Sequence, residues 1–123
     1  MDILLVEDNL LNQKVVTFNL KKYSYNVTAV SNGPDAIKAV ADQTFDLILM
    51  DLMLPEMDGY EITTEIRKME KVKGTDKPVP IIAITANTLD NDREKCFEVG
   101  MNEYLSKPFT AEQLIDKIRM FIS

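Results

Sequence analysis

Five short apolar runs, Ile3–Val6, Val27–Val30, Leu47–Met50, Ile81–Ile84 and Tyr104–Leu105, alternate along this chain with segments of helical period. The third and fourth runs are nearly continuous in Leu, Ile, Met and Ala, as strands buried on both faces require. Between the runs, Leu11, Val15 and Phe18 recur at i, i+4, i+7, and so do Ile62, Ile66 and Met69. Leu114, Ile118 and Phe121 repeat that spacing near the end, and Ala36, Ile37, Val40 and Ala41 form a shorter stripe. Strand therefore follows helix throughout, which predicts a parallel sheet covered on both faces through right-handed crossovers. The expected fold class is α/β, a doubly wound (βα)5 domain with a five-stranded parallel sheet.

Helix starts carry residues able to accept from unpaired backbone N–H groups. Asn32-Gly33-Pro34 offers a cap with proline in the first turn, Asp58 caps the third helix, and Thr110 with Gln113 makes a capping box. The fourth helix, about Leu89 to Val99, has the weakest pattern. Leu89, Cys96 and Phe97 share a face, but Asp90, Asn91, Asp92, Arg93, Glu94 and Lys95 dilute it. Lys71–Pro80, with Gly74, Pro78 and Pro80, reads as the one long surface loop. With 123 residues there is room for one core, so residues 1–123 are expected to form a single domain.

Composition removes whole classes of chemistry. There is no histidine, so triad catalysis, His-ligated metals and imidazole acid–base chemistry are excluded. One cysteine excludes an internal disulfide and suits the cytosol. A net charge of −6 argues against binding nucleic acid or anionic lipid by bulk attraction. No apolar run is long enough to cross a membrane, and no signal sequence opens the chain. The expected location is the cytoplasm. Carboxylates, hydroxyls, lysine and backbone must do the work.

In an open parallel sheet that work takes place beyond the carboxyl ends of the strands. The first strand ends in Glu7-Asp8-Asn9, the third in Asp51, the fourth in Thr85-Ala86, and the fifth in Ser106-Lys107-Pro108. Taken singly these are ordinary residues: a strand-end aspartate is usually a turn or cap residue, and a lone lysine a solvated charge. Their convergence on one sheet edge is not ordinary. Clustered carboxylates raise one another's pKa unless a cation joins them. All-oxygen ligands with retained waters suit Mg²⁺. Lys107 and Thr85 would then hold an anionic group brought to the metal, a cage fit for phosphoryl transfer.

These residues resemble response-regulator receiver domains of two-component phosphorelays. The resemblance rests on Leu4-Leu5-Val6-Glu7-Asp8-Asn9, on Leu49-Met50-Asp51-Leu52-Met53-Leu54-Pro55-Glu56-Met57-Asp58-Gly59, on Thr85-Ala86 and on Lys107-Pro108-Phe109, and it covers essentially the whole chain. It implies a flavodoxin-like sheet in the order 2-1-3-4-5. It also implies that Asp51 is the phosphoacceptor, taking the group from the phosphohistidine of a histidine kinase or a histidine phosphotransfer protein. Asp8 would bind Mg²⁺ directly, Glu7 through a metal-bound water, and Asp51 with the backbone carbonyl of Met53 would complete the protein ligands. Mn²⁺ is expected to substitute. Lys107 would pair with the phosphoryl oxygens, and Thr85 with the Ala86 backbone N–H would receive the group. Tyr104 matches the aromatic that turns inward on activation, changing the face made by the fourth helix, fifth strand and fifth helix. Taken without the family, Tyr104 reads as a half-exposed strand aromatic.

Further expectations follow from the resemblance. Lys107-Pro108 should be a cis bond. Asp-Asn-x-x-Asn-Gln, formed by Asp8, Asn9, Asn12 and Gln13, looks like the subtype attached to hybrid sensor histidine kinases. The segment could be one excised from such a kinase, the reading preferred, or a complete single-domain regulator. As a segment it is expected to be no enzyme beyond its own phosphorylation and dephosphorylation, whereas a hybrid parent would be a protein-histidine kinase. The expected partners exclude nucleic acid and membrane for this domain and include a homodimer formed on phosphorylation. Gly59 reads as a permissive turn residue, Cys96 as packed core, and Met50 and Met69 as the clearest core methionines.

Three other functions compete. An aspartyl-phosphate phosphohydrolase of the haloacid-dehalogenase type would carry Asp-x-Asp after its first strand, but Asp51 is followed two residues later by Met53. A flavodoxin-like cofactor binder needs a first loop that cradles phosphate, which Glu7 and Asp8 would repel. A degenerate receiver used only for docking would lack site residues, and none is missing.

Overall fold

A computed structural model describes residues 1–86 and 90–122, without the side chains of 90–92. Strands β1 (Asp2–Val6), β2 (Asn26–Val30), β3 (Leu47–Asp51), β4 (Ile81–Thr85) and β5 (Glu103–Ser106) alternate with helices α1 (Leu10–Lys22), α2 (Gly33–Asp42), α3 (Gly59–Lys73), α4 (Asp90–Glu98) and α5 (Ala111–Arg119). All strand pairs are parallel, in the order β2-β1-β3-β4-β5. The expected fold class and strand order are both observed.

Alternation along the strands divides the core in two. Leu4, Val6, Ile48, Met50, Ile81 and Ala83 face one layer with Ala36, Ile62, Ile66 and Cys96. Ile3, Leu5, Leu47, Leu49, Ile82 and Ile84 face the other, with Val16, Leu20, Leu114 and Ile118. Burying each such side chain contributes about 1.5–3 kcal/mol, so the three inner strands hold most of the stabilisation. At the edges β2 and β5 carry more exposed residues, in keeping with their one-sided pairing.

The helix caps form as read from the sequence. Asn32 Oδ1 accepts from the Asp35 N–H at 2.9 Å, Asp58 Oδ1 from Glu61 N–H at 2.9 Å, and Thr110 and Gln113 exchange bonds of 2.9 and 3.1 Å. Each such cap contributes about 1 kcal/mol. Cys96 is buried, as expected, and the Lys107-Pro108 bond is cis.

Several expectations need correction. Leu11, Val15 and Phe18 form a helix, but 70%, 52% and 62% of their surfaces remain exposed, and α1 packs through Val16 and Leu20. Apolar residues lie on two sides of α1, and the side that meets the sheet is the one carrying Val16 and Leu20, with Asn12 and Gln13 bonded to the end of β1 on that same side. Ala41 is exposed and Ala39 packs in its place. Met69 is only half-buried, and Met101 joins Met50 in the core. Phe97 is exposed next to buried Cys96, since neighbouring residues on a helix point about 100° apart. Leu89 lies outside the described residues. The long loop is shorter than Lys71–Pro80, because α3 continues to Lys73 and ends at Gly74, a left-handed cap with φ 68°.

One polar cluster ties α3 to the end of α4. Arg67 donates to Gly100 O (3.0 and 2.7 Å) and to Asn102 Oδ1 (3.0 Å), and pairs with Glu70 at 2.6 Å. Glu70 in turn accepts from the Val79 N–H, and Asn102 from the Ile81 N–H.

Candidate functional site

The register of the sheet brings four chain segments to one edge. Val6 pairs with Met50, Asp51 with Ile84, and Thr85 with Ser106, so Glu7, Asp51, Thr85 and Lys107 all emerge at the carboxyl ends of adjacent strands. The Lys107 N–H donates to Thr85 O (2.8 Å) and the Leu52 N–H to Ile84 O (3.0 Å), which carries the ladder past the last strand residues. Asn9 caps α1 by accepting from the Asn12 N–H at 3.0 Å, so the chain turns directly from the acidic pair into a helix.

Gly59 sets the depth of the next turn. A Cβ there would stand 2.7 Å from Asp51 O and 3.0 Å from Leu52 Cα, both backbone atoms. The need is for close approach of α3 to β3. This corrects its reading as a residue of conformational freedom. Left-handed backbone in this loop falls instead on Glu56, with φ 65°, across which the Met57 N–H donates to Pro55 O at 2.7 Å.

Carboxylate oxygens of Glu7, Asp8 and Asp51 lie within 4.8 Å of one another. Glu7 and Asp51 are buried, and Asp8 is exposed. Lys107 Nζ sits 3.1 Å from Asp51 Oδ2 and 3.5 Å from Glu7 Oε1. Asp51 Oδ1 accepts from the Met53 N–H at 2.9 Å. The Met53 side chain is largely exposed, and Thr85 is buried. Asp8, Met53 and Thr85 line one depression at this edge, and Glu7, Asp51, Ala86 and Lys107 line a second. The second runs on as an apolar groove between α1 and the turn after β5, past Val15, Val16, Pro108 and Phe109. Tyr104 is half-buried on β5 against the core layer that holds Cys96.

Electrostatics in this cluster are uneven. Burial pushes the Glu7 carboxyl up to about 7, and the adjacent Asp51 carboxylate adds to the effect, while Asn12 and Lys107 oppose it. A proton on Glu7 turns repulsion with Asp51 into a hydrogen bond. Burial disfavours the Lys107 charge, but Asp51 and Glu7 outweigh it and raise its pKa above the ordinary value.

Glu7 Oε2 is buried and has no hydrogen-bond partner among the described residues. A buried acceptor left in this state is costly, and a hydrated cation would supply the missing donor through a bound water. The all-oxygen donor set fits Mg²⁺ better than a soft metal.

Two residues of this edge escaped a role in the sequence reading. Asn12 Nδ2 donates to Glu7 Oε1 at 2.7 Å. Gln13 Nε2 donates to Glu7 O, with Val30 O (3.2 Å) and Ser31 Oγ (3.1 Å) also in reach, and so joins the ends of β1 and β2. Asn9 as a helix cap was the available signal, because it places Asn12 in the first turn beside the strand end.

Comparison with known proteins agrees with this geometry. The family model for the response regulator receiver domain matches residues 3–119. Hybrid signal transduction histidine kinase B of Dictyostelium discoideum is 43% identical over 98% of this chain, which spans 7% of that protein's length. Probable histidine kinase 4 of Oryza sativa subsp. japonica is 37% identical, and the chain spans 14% of it. Among solved structures, the receiver domain of a sensor histidine kinase from Pseudomonas aeruginosa PAO1 has a magnesium ion coordinated in its active site cleft. It is 46% identical with a TM-score of 0.87, covering 98% of this chain and 96% of that one. The receiver domain of the Saccharomyces cerevisiae response regulator Ssk1, crystallised with the histidine phosphotransfer protein Ypd1, is 34% identical with a TM-score of 0.93, covering 98% and 88%. A matching family model over nearly the whole chain, on a fold and an acidic strand-end cluster of this kind, shows that this chain belongs to the response regulator receiver domain family.

Proposed function

We propose that this domain, spanning residues 1–123, is a phosphoacceptor switch in which Asp51 takes a phosphoryl group from a phosphohistidine. One observation carries the reading: three carboxylates crowd within 4.8 Å while Glu7 Oε2 lacks a partner among the described residues, an arrangement that calls for a cation. Asp8 and Asp51, with the Met53 carbonyl, would hold Mg²⁺ directly, and Glu7 would do so through water. Bound there, the ion neutralises charge that builds on the transferring oxygens. Mn²⁺, another cation suited to oxygen ligands, would substitute.

The chain's own residues supply the rest. An Asp51 oxygen attacks phosphorus, an O–P bond forms, the N–P bond to the donor imidazole breaks, and the imidazole departs with its electron pair. The Met53 N–H orients the attacking carboxylate. Lys107, already 3.1 Å from Asp51, would turn its ammonium to the phosphoryl oxygens. Thr85 and the Ala86 N–H would bind the same group, and Tyr104 would shift inward and alter the α4-β5-α5 face. Such a segment is a switch with self-phosphorylation and self-dephosphorylation rather than an enzyme acting on other substrates. We read it as part of a cytoplasmic hybrid histidine kinase, given relatives of which it spans 7% to 14%.

A partner must bring the donor histidine, since the chain has none. The exposed apolar stripe Leu11, Val15 and Phe18 on α1, beside the groove that leads to Asp51, supports docking of a histidine phosphotransfer domain there. Modification would also favour a homodimer through the α4-β5-α5 face, and neither nucleic acid nor membrane is a partner of an acidic domain such as this one.

Incubation with acetyl phosphate and Mg²⁺ should add the mass of one phosphoryl group. Asp51→Asn should abolish the addition and chelation should suppress it. Labelling that survives in Asp51→Asn would overturn the acceptor assignment.

A further inference from the structure

We infer that Asn12 is a positioning residue for the acidic cluster, one that dedicates a single oxygen of Glu7 to α1 and leaves the other for the ion's hydration shell. The inference rests on the reading above that this cluster takes Mg²⁺.

Glu7 has two competing claims on Oε1. Asn12 Nδ2 lies 2.7 Å away, and Lys107 Nζ 3.5 Å. The amide is therefore the nearer donor, and it is neutral, so it fixes the carboxylate without discharging it. Oε2 is then held in the buried interior of the site with no donor among the described residues. The main chain of Glu7 is fixed as well, by its own N–H to Val30 O (3.0 Å) and by Gln13 at its carbonyl. What remains is rotation within the side chain, and Asn12 restricts it by holding Oε1.

Without the amide, the nearest donor left to Glu7 Oε1 is Lys107. A closer ion pair would swing the carboxylate toward the lysine and draw the ammonium from Asp51, its partner at 3.1 Å. The cluster would lose both the orientation of Oε2 and part of the negative field that attracts a cation. Asn12 itself is exposed and contributes nothing to either core layer, so its removal should leave the fold intact.

The test is Mg²⁺ titration by calorimetry on the wild-type chain, Asn12→Leu, Asn12→Ser, Glu7→Gln and the double variant Asn12→Leu/Glu7→Gln. Loss of a group that orients a metal-site ligand typically weakens affinity by about tenfold or more. Asn12→Leu and Asn12→Ser should each weaken Mg²⁺ binding by roughly that factor, with thermal midpoints unchanged. In the Glu7→Gln background the same Asn12→Leu change should cost less than about twofold, because the residue acts through the carboxylate. At saturating Mg²⁺ the labelling rate of Asn12→Leu with acetyl phosphate should return to within about twofold of wild type, a separation of binding from chemistry. Mg²⁺ affinity in Asn12→Leu equal to wild type, or an equal loss with and without Glu7, would overturn the assignment. A wild-type chain that binds no Mg²⁺ would instead overturn the reading on which it rests, and the assignment with it.

Discussion

Lys107 Nζ stands 3.1 Å from Asp51 Oδ2, an ion pair between residues 56 positions apart that closes the acidic edge of the sheet. The lysine occupies the place where a cation's charge would be felt, so metal and ammonium compete for the same field. Removing it should not weaken the metal site. Lys107→Ala is expected to bind Mg²⁺ at least as tightly as wild type by calorimetry. The phosphorylated form, however, should lose the change at Tyr104, read as the difference in its ring signals by NMR before and after acetyl phosphate. A normal Tyr104 response in Lys107→Ala would count against the role proposed for the lysine.

Acidity of the cluster should govern stability in the metal-free chain. Glu7 has its carboxyl raised from 4.5 to about 7 in the folded state. A raised pKa means the folded chain holds the proton more tightly than the unfolded one, so its stabilisation is full below about 4.5 and lost as pH rises through about 7. The thermal midpoint in chelator should therefore fall between those values, and Glu7→Gln should flatten the fall. Mg²⁺, which competes with the proton, should bind more tightly as pH rises through the same window. An identical pH slope in Glu7→Gln would show that another group is responsible.

Steric closure behind Asp51 can be tested at Gly59. A methyl group there meets backbone at 2.7 and 3.0 Å, and backbone cannot step aside as a flexible side chain can. Gly59→Ala should cost about 1–3 kcal/mol in urea denaturation and also lower Mg²⁺ affinity by displacing β3's end. Gly74→Ala is the contrast, since nothing lies within 4 Å and only the left-handed φ of 68° resists it. That variant should cost about 1 kcal/mol and leave the metal site untouched.

Docking through α1 predicts a split between donors. Phe18 is 62% exposed with Lys22 Nζ 4.4 Å from its ring centroid. Phe18→Glu should change stability by less than about 0.5 kcal/mol, as surface changes usually do. Transfer from a phosphorylated histidine phosphotransfer domain should slow at least about tenfold, the loss expected when a central apolar contact worth over 1.4 kcal/mol is removed. Labelling by acetyl phosphate should not change. Equal slowing with both donors would sink the docking surface.

What the sequence made legible, and what it hid, divides along physical lines. Strand ends are read easily because an apolar run must stop where burial stops, so Glu7, Asp51, Thr85 and Lys107 could be named in advance as one edge. Rotation of a helix is harder. In α1 apolar residues occupy more than one side, and the bonds from Asn12 and Gln13 to the strand ends mark the side on which Val16 and Leu20 go in while Val15 and Phe18 stay out. Those two bonds span residues five and six apart across a turn, a relationship no periodicity encodes. Gly59 was misread for a similar reason: its constraint comes from Asp51 and Leu52, not from its own φ. Met69, expected in the core, is only half-buried near the end of α3, whereas Met101, for which no expectation was formed, is buried.

Arg67 anchors the chain that leaves α4. Its guanidinium rivets Gly100 O and Asn102 to α3, and Asn102 in turn holds the first N–H of β4. The chain after α4, the start of β4 and the middle of α3 are thus clamped through one guanidinium, so a strain applied to any one of the three is shared by the other two.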